Sequence, residues 1–255
     1  METFGPAYVE QPCDLPDAFR CVWVRRGSLA PGAGATVLPD ACTDIVVDAT
    51  GTAVVVGPTM TPHRLALLPA VTFRGLRLQP WSIPLLFRTT AADLRDRVLP
   101  LQDLVAPRVA EEVAAAVWAG QVPRCWSSID TSPWQMSLVK GLLHAPSGGV
   151  ERTGWSTGVS ERQARRTTRE LTGLSPRELA HVGRLTRVVS LIDRPGRSLA
   201  SIAVQSGYSD QAHLTRDLKQ LTGVTPRALR VERADPALWT QDRTVASARD
   251  LVTHH

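Results

Sequence analysis

Thr157–Leu179, TGVSERQARRTTRELTGLSPREL, and Ser206–Leu229, SGYSDQAHLTRDLKQLTGVTPRAL, are two loose copies of one unit. Gly158 and Gly207 stand 49 positions apart, as do Ser160 and Ser209; Gly173 and Gly223 stand 50 apart. The second copy therefore carries one extra residue. Each copy has the grammar of a helix-turn-helix: a glycine where the chain must turn, a hydroxyl residue to cap the next helix, then an amphipathic run. A chain with two such units in tandem is built to read nucleic acid rather than to do chemistry.

In the second copy, Leu199–Ser206 reads as the first helix and Gly207 as the turn. Ser209 is expected to cap the second helix, on which Leu214, Leu218 and Leu221 form one apolar stripe. At about 100° per residue, Ala212, His213, Arg216 and Lys219 point away from that stripe, and Gln211 sits near the N-terminal end, the end that enters a major groove. In the first copy, Ser160-Glu161-Arg162-Gln163 has the pattern of a capping box. Taking Leu171 as inward, Arg162, Arg165, Arg166 and Arg169 share the opposite face. Four guanidinium groups on one face repel one another unless an anion is near, and arginine can grip guanine O6 and N7 with two bonds. A solubilising arginine face is the plain alternative.

Around the repeat, Ser132-Pro133 opens a helix that Pro146–Gly149 ends. Ser175-Pro176-Arg177-Glu178 caps a long helix running to about Ile192, and Ser198 caps the next. Residues 151–233 hold fifteen Arg and Lys against eight Asp and Glu, a net +7; the rest of the chain is −2, within an overall +5. The basic excess sits with the repeat, as in a polyanion-binding domain joined to a neutral or acidic one.

The N-terminal half has a different period. Short β-branched runs recur at Val22–Val24, Thr36–Leu38, Ile45–Val47, Ala53–Val56 and Val71–Leu78, broken by glycine and proline, which reads as a small barrel or sandwich. Helices are expected near Ala91–Val98 and Pro107–Ala119, and a linker over Pro123–Pro133.

The chain has 255 residues, 43% of them hydrophobic and 21% charged, which are globular values. There is no run of eighteen apolar residues, and METFGPAYVEQPCDLPDAF has neither a basic leader nor an apolar segment, so a cytoplasmic protein with no membrane partner is expected, nucleoid-associated when bound to DNA. The cysteines at 13, 21, 42 and 125 form no local zinc cluster, and GxSxG, HExxH and P-loop motifs are absent. No enzyme activity, no cofactor and no metal is expected. Cys42, Asp44 and His63 read as a turn, a buried thiol and a surface imidazole in preference to a metal set.

SLASIAVQSGYSDQAHLTRDLKQLTGVTPRALR, Ser198–Arg230, resembles the AraC family of transcription regulators. It has the small-residue helix, the Gly-aromatic-Ser turn, the recognition helix and the closing Gly-x-Thr-Pro. The resemblance covers about a hundred residues. It implies two helix-turn-helix subdomains joined by a long helix, whose recognition helices enter successive major-groove segments of promoter DNA. Base contacts then map onto Arg162, Arg165 and Arg166, with Arg169 on the same face, and onto Gln211, Ala212, His213 and Arg216. Ser160, Ser209 and Thr215 fall to the phosphates. The segment from FRCVWVRRG to FRGLRLQPWSIPLLF resembles the N-terminal domain of actinobacterial-type AraC-like regulators. In the wider family such domains are cupin-like barrels that bind an effector or dimerise.

The resemblance thus implies an α+β chain: a β-rich sensory domain at 1–125, an all-α DNA-binding domain at 126–233, and a mobile tail at 234–255. Asp40, Asp44, His63, Arg77 and Trp81 are the candidate effector contacts, with Arg77 suited to an anion. RNA polymerase and a small-molecule effector are the further partners expected, and the protein could act as a monomer or a homodimer. A nonspecific architectural DNA binder and an AraC-fused DNA-repair methyl acceptor are the alternatives. Ala164, Thr168 and Gly154 stand where the family has bulkier or different residues, so the first unit should be less tightly packed. In the free protein, amide exchange should be faster over residues 160–172 than over 211–222; comparable protection in both would overturn this.

Overall fold

A computed structural model of the chain describes residues 8–11, 17–25, 34–66, 72–146, 158–192, 194 and 196–234. The fold is α+β. A six-stranded antiparallel sheet has the spatial order β1 (Tyr8–Gln11), β2 (Phe19–Arg25), β7 (Phe73–Leu78), β4 (Thr43–Asp48), β5 (Ala53–Val56) and β8 (Val98–Pro100). A separate ribbon pairs β3 (Gly34–Val37) with β6 (His63–Ala66). Among the described residues β1 and β8 remain the sheet's two edges, so it is open rather than closed on itself.

The period-2 alternation of these strands divides the sheet into two apolar faces. Val22, Ile45, Val47, Val55, Leu76 and Leu78 point to one side, where Val113 and Val117 of helix α3 (Pro107–Trp118) cover them. Cys21, Trp23, Val46, Val54 and Phe73 point to the other. Arg77 lies on this second side and is almost fully buried.

Several elements differ from the sequence reading. β1, β6 and the short helix α1 (Ile83–Leu86) are additional. The helix expected over Ala91–Val98 stops early, as α2 (Ala91–Leu94), although the Thr90–Asp93 capping box starts it. Asp96 turns left-handed, with φ 57°, and its N–H bonds the Pro58 carbonyl at 2.9 Å. That turn delivers Val98 to the edge of β5, where it pairs with Val56. The expected linker is partly built into the domain: Trp126 is buried, edge-on to Phe87 at 5.8 Å. The tail beyond residue 234 and Gly154 lie outside the described residues.

Among the described residues the C-terminal part is helical: α4 (Pro133–His144), α5 (Glu161–Thr172), α6 (Pro176–Ile192), α7 (Leu199–Gln205), α8 (Gln211–Thr222) and α9 (Pro226–Ala234). It has two cores, and α6 enters both. Leu179 and Val182 pack with Leu138, Val139 and Leu142 of α4 and with Ala164 and Leu171 of α5. Leu185, Val188, Val189 and Ile192 pack with Ile202, Leu214, Leu218, Leu221 and Leu229. The small side chains of α5 leave the first core thin, and the N-terminal domain thickens it by inserting Trp81 and Ala41.

The two domains are also clasped. α5 ends at Gly173, with φ 70°, and a Cβ there would stand 2.6 Å from the Ala91 carbonyl oxygen, so glycine is needed both for the turn and for the close approach. Arg95 donates to the Gly173 carbonyl at 3.2 Å and, with two nitrogens, to the Glu178 carboxylate at 2.9 and 3.2 Å. Glu178 in turn accepts the Ser175 N–H at 2.7 Å while the Ser175 hydroxyl accepts the Glu178 N–H at 3.3 Å. The expected capping box is thus formed, and the N-terminal domain grips it.

Partial burial pushes the Glu178 carboxyl up, but the bonds from Arg95 and Ser175 outweigh burial and hold it at about 2 against an ordinary 4.5. A depressed carboxyl contributes stability that is present above 4.5 and lost as the pH falls through about 2. Glu178→Gln should therefore unfold at lower urea than the parent at neutral pH, and the difference should shrink to nothing between those two pH values. Equal midpoints at neutral pH would show that the clasp contributes nothing.

Candidate nucleic-acid interface

The first candidate reading surface is the outer face of α5. Ser160 caps it, its hydroxyl accepting the Gln163 N–H at 3.3 Å. Ala164, Thr167, Thr168 and Leu171 turn inward, and Thr168 donates to the Ala164 carbonyl at 2.7 Å. Arg162, Arg165, Arg166 and Arg169 are all exposed on the opposite side. Their mutual repulsion is relieved within the helix: Arg165 pairs with Glu161, and Arg166 with Glu170 at 3.7 Å. Such exposed pairs, four residues apart on a helix, are worth about 0.3–0.5 kcal/mol, so a phosphate or a base edge can displace them at little cost.

The second candidate reading surface is α8, seated on Leu214, Leu218 and Leu221. Gly207 makes the turn at φ 84°. The cap is Asp210 rather than Ser209: the Asp210 carboxylate accepts the His213 N–H at 2.7 Å. A carboxylate satisfies the orphan N–H and complements the helix dipole together, which a hydroxyl cannot. Ser209 is released to meet the His213 ring, its Oγ 3.0 Å from Nδ1. Gln211, Ala212 and Arg216 are exposed, and His213 and Thr215 are half-buried. The Thr215 hydroxyl donates to the Gln211 carbonyl at 2.8 Å.

Behind this face lies a polar brace that sequence reasoning missed. Asp217 accepts the Tyr208 hydroxyl at 2.7 Å and bonds His181 Nε2 of α6. The Tyr208 ring carries the Arg184 guanidinium at 5.7 Å and stands edge-on to His213 at 5.2 Å. Burial pushes the Asp217 carboxyl up, yet the bonds from His181 and Tyr208 bring it below its ordinary value. Arg187, next along α6, donates to the carbonyls of Leu143 at 2.9 Å and Ala145 at 3.2 Å. No local spacing announces that His181 and Asp217 meet, because only the packing of α6 on α8 brings them together.

The candidate effector residues do not form one cluster. Asp40 and Arg77 line a small cleft with Arg20, Leu38 and Pro39, facing Leu185, Thr186, Val189 and Ser190 of α6. The Arg77 fork is engaged: Nε and one terminal nitrogen donate to Asp44 at 3.0 and 3.4 Å, and the other to Glu10 at 3.3 Å. Asp44 also accepts the Trp23 indole at 3.0 Å. Trp81 sits in the first helical core, with the Lys140 ammonium 5.2 Å above its ring. His63 falls on β6, and its side chain lies outside the described residues.

Burial pushes the Cys21 and Cys42 thiols up to about 12, and the Cys125 thiol is also raised. These thiols are protonated at neutral pH and poor nucleophiles. No helix among the described residues is long and apolar enough to cross a membrane.

Residues 156–232 match a helix-turn-helix domain family, and residues 11–100 match a domain of unknown function (DUF6597). No protein of curated function matches the chain in sequence. Among solved structures, an AraC-type transcriptional regulator from Chromobacterium violaceum is 24% identical, over 41% of this chain and 95% of that one, with a TM-score of 0.38. A DNA-binding transcriptional dual regulator from Escherichia coli K-12 is 21% identical, over 42% and 98%, with a TM-score of 0.37. ToxT from Vibrio cholerae O395 is 11% identical, over 84% and 94%, with a TM-score of 0.41. The C-terminal region of this chain, over residues 156–232, is thus similar to a helix-turn-helix domain family.

Proposed function

We propose that the protein is a sequence-specific regulator that reads two successive major-groove segments of promoter DNA with α5 and α8. The observation that carries this reading is the joint itself: both exposed reading helices are packed on the single helix α6, so one body presents two different faces. Arg162, Arg165, Arg166 and Arg169 supply the first contacts, with Ser160 at the cap. Gln211, Ala212, His213 and Arg216 supply the second, and Ala212 offers only apolar contact, to a thymine methyl. Ser209 and Thr215 spend their hydroxyl hydrogens within the helix, so their phosphate contacts require those bonds to be exchanged.

In this reading residues 126–233 bind DNA and residues 1–125 regulate. A small-molecule effector would act at the cleft between Asp40 and α6, where an occupant changes the seating of the helix that both units share. Because Arg77 is already saturated by carboxylates, an anion gains little from it. Tandem reading heads let a monomer bind, and contact with RNA polymerase would follow from its place on the promoter.

Gel retardation with the gene's own upstream DNA tests the reading. Each bidentate guanine contact is worth about 1–3 kcal/mol, so Arg165→Ala or Arg166→Ala should weaken specific binding by roughly 5- to 140-fold while binding to random DNA changes little. Affinity should fall steeply with salt as displaced counterions are recovered. Equal losses on specific and random DNA would reduce these arginines to phosphate contacts, and a protein that retards no promoter fragment would end the proposal.

A further inference from the structure

We propose that Ser209 and Asp210 determine which ring nitrogen of His213 carries the proton, and so make the second reading helix select an amino group, on adenine or cytosine, at the base that His213 meets. This rests on the entry of α8 into a major groove.

The argument is a count of hydrogens. Ser209 Oγ has two neighbours, Asp210 Oδ2 at 3.3 Å and His213 Nδ1 at 3.0 Å, and a hydroxyl has one hydrogen. Asp210 is ionised. The His213 N–H, chiefly, with smaller help from Ser209, the Ala212 N–H and Arg216, holds its carboxyl below the ordinary value. A carboxylate only accepts, so the Ser209 hydrogen goes to Asp210. Ser209 then faces Nδ1 with a lone pair, and Nδ1 must supply the hydrogen between them. A neutral imidazole has one N–H, which leaves Nε2 a bare acceptor.

The ring is held in that pose. Tyr208 stands edge-on to it, at 5.2 Å and 89°, and Tyr208 is fixed by its bond to Asp217. Nε2 has no protein partner among the described residues. In a major groove an acceptor is matched by adenine N6 or cytosine N4 and opposed by guanine O6 and N7 and by thymine O4.

One isosteric change reverses the chain of bonds. In Asp210→Asn the amide oxygen still caps the helix by accepting the His213 N–H. The amide nitrogen, in place of Oδ2, now donates to Ser209. The Ser209 hydrogen is turned to Nδ1, the ring hydrogen moves to Nε2, and the same side chain becomes a donor suited to guanine.

Two measurements on the full-length protein test this. The first is a long-range ¹H–¹⁵N spectrum of ¹⁵N-histidine protein at about pH 8, where imidazoles are neutral, with His213 assigned by its loss in His213→Ala. The expected result is hydrogen on Nδ1 in the parent and on Nε2 in Asp210→Asn. The second is selection of sites from randomised DNA. The position that His213→Ala relaxes should favour adenine or cytosine with the parent and guanine with Asp210→Asn, each by on the order of tenfold. Should Asp210→Asn fold poorly, Ser209→Ala frees Nδ1 and should erase that preference instead. Hydrogen on Nε2 in the parent, or a base preference that neither variant changes, overturns the proposal. If the spectrum is as expected but His213→Ala relaxes no position, the groove entry of α8 is what fails.

Discussion

A single helix of seventeen residues, α6, has to be buried on two sides at once. Its first half completes the core of the α5 unit and its second half completes the core of the α8 unit. Eight of its residues are buried, so neither unit can rotate about it without exposing apolar surface, at about 25 cal/mol for each Å². The spacing and phase of the two exposed helix faces are therefore properties of this helix. Its start is fixed by the Ser175–Glu178 capping box, and its polar side is tied outward by Arg187 to the end of α4 and by His181 to Asp217.

That constraint gives the N-terminal domain its leverage. Arg95 grips the same capping box that begins α6, and Trp81 fills the core that α6 shares with α5. The cleft lined by Asp40 lies against the middle of the helix. The β-rich domain bears on α6 at these points, packs α1 and α2 directly on α5, and places Leu38 in the second core. The α8 unit has in addition its own leucine core and the Asp217 brace.

Much of the helical half was legible in the sequence because its determinants are local. Ser198 and the Ser175–Glu178 box cap as their spacing implies, and Leu214, Leu218 and Leu221 form the buried stripe. The sheet was partly legible: the strands with β-branched runs stand where the alternation puts them. β6 is HRLA and β8 is VLP, runs too short and mixed to announce themselves. Val98 joins a strand because a left-handed turn at Asp96, stabilised by a distant carbonyl, ends the helix before it. At the reading surface, side-chain direction could be deduced from the helical period, but the cap at Asp210 could not be separated from Ser209 by pattern, since both residue types cap. The brace of His181, Asp217 and Tyr208 joins residues far apart in the chain and had no local sign at all.

The two reading faces consequently differ in kind. On α5, the arginines are exposed on long side chains, and two of them pair with Glu161 and Glu170; in the proposed reading such a face would gain affinity from charge and adjust its geometry to what it meets. On α8, His213 is held by Ser209 and Tyr208, and Tyr208 by Asp217, so its ring has little freedom left to lose on binding. A flexible charged face tolerates many sequences, whereas a rigid polar one penalises a mismatch because its unpaired group cannot turn away. In the proposed reading the first face, joined to the second through α6, anchors it in register, and the site they read together should be asymmetric, with its sharper discrimination in the half under α8.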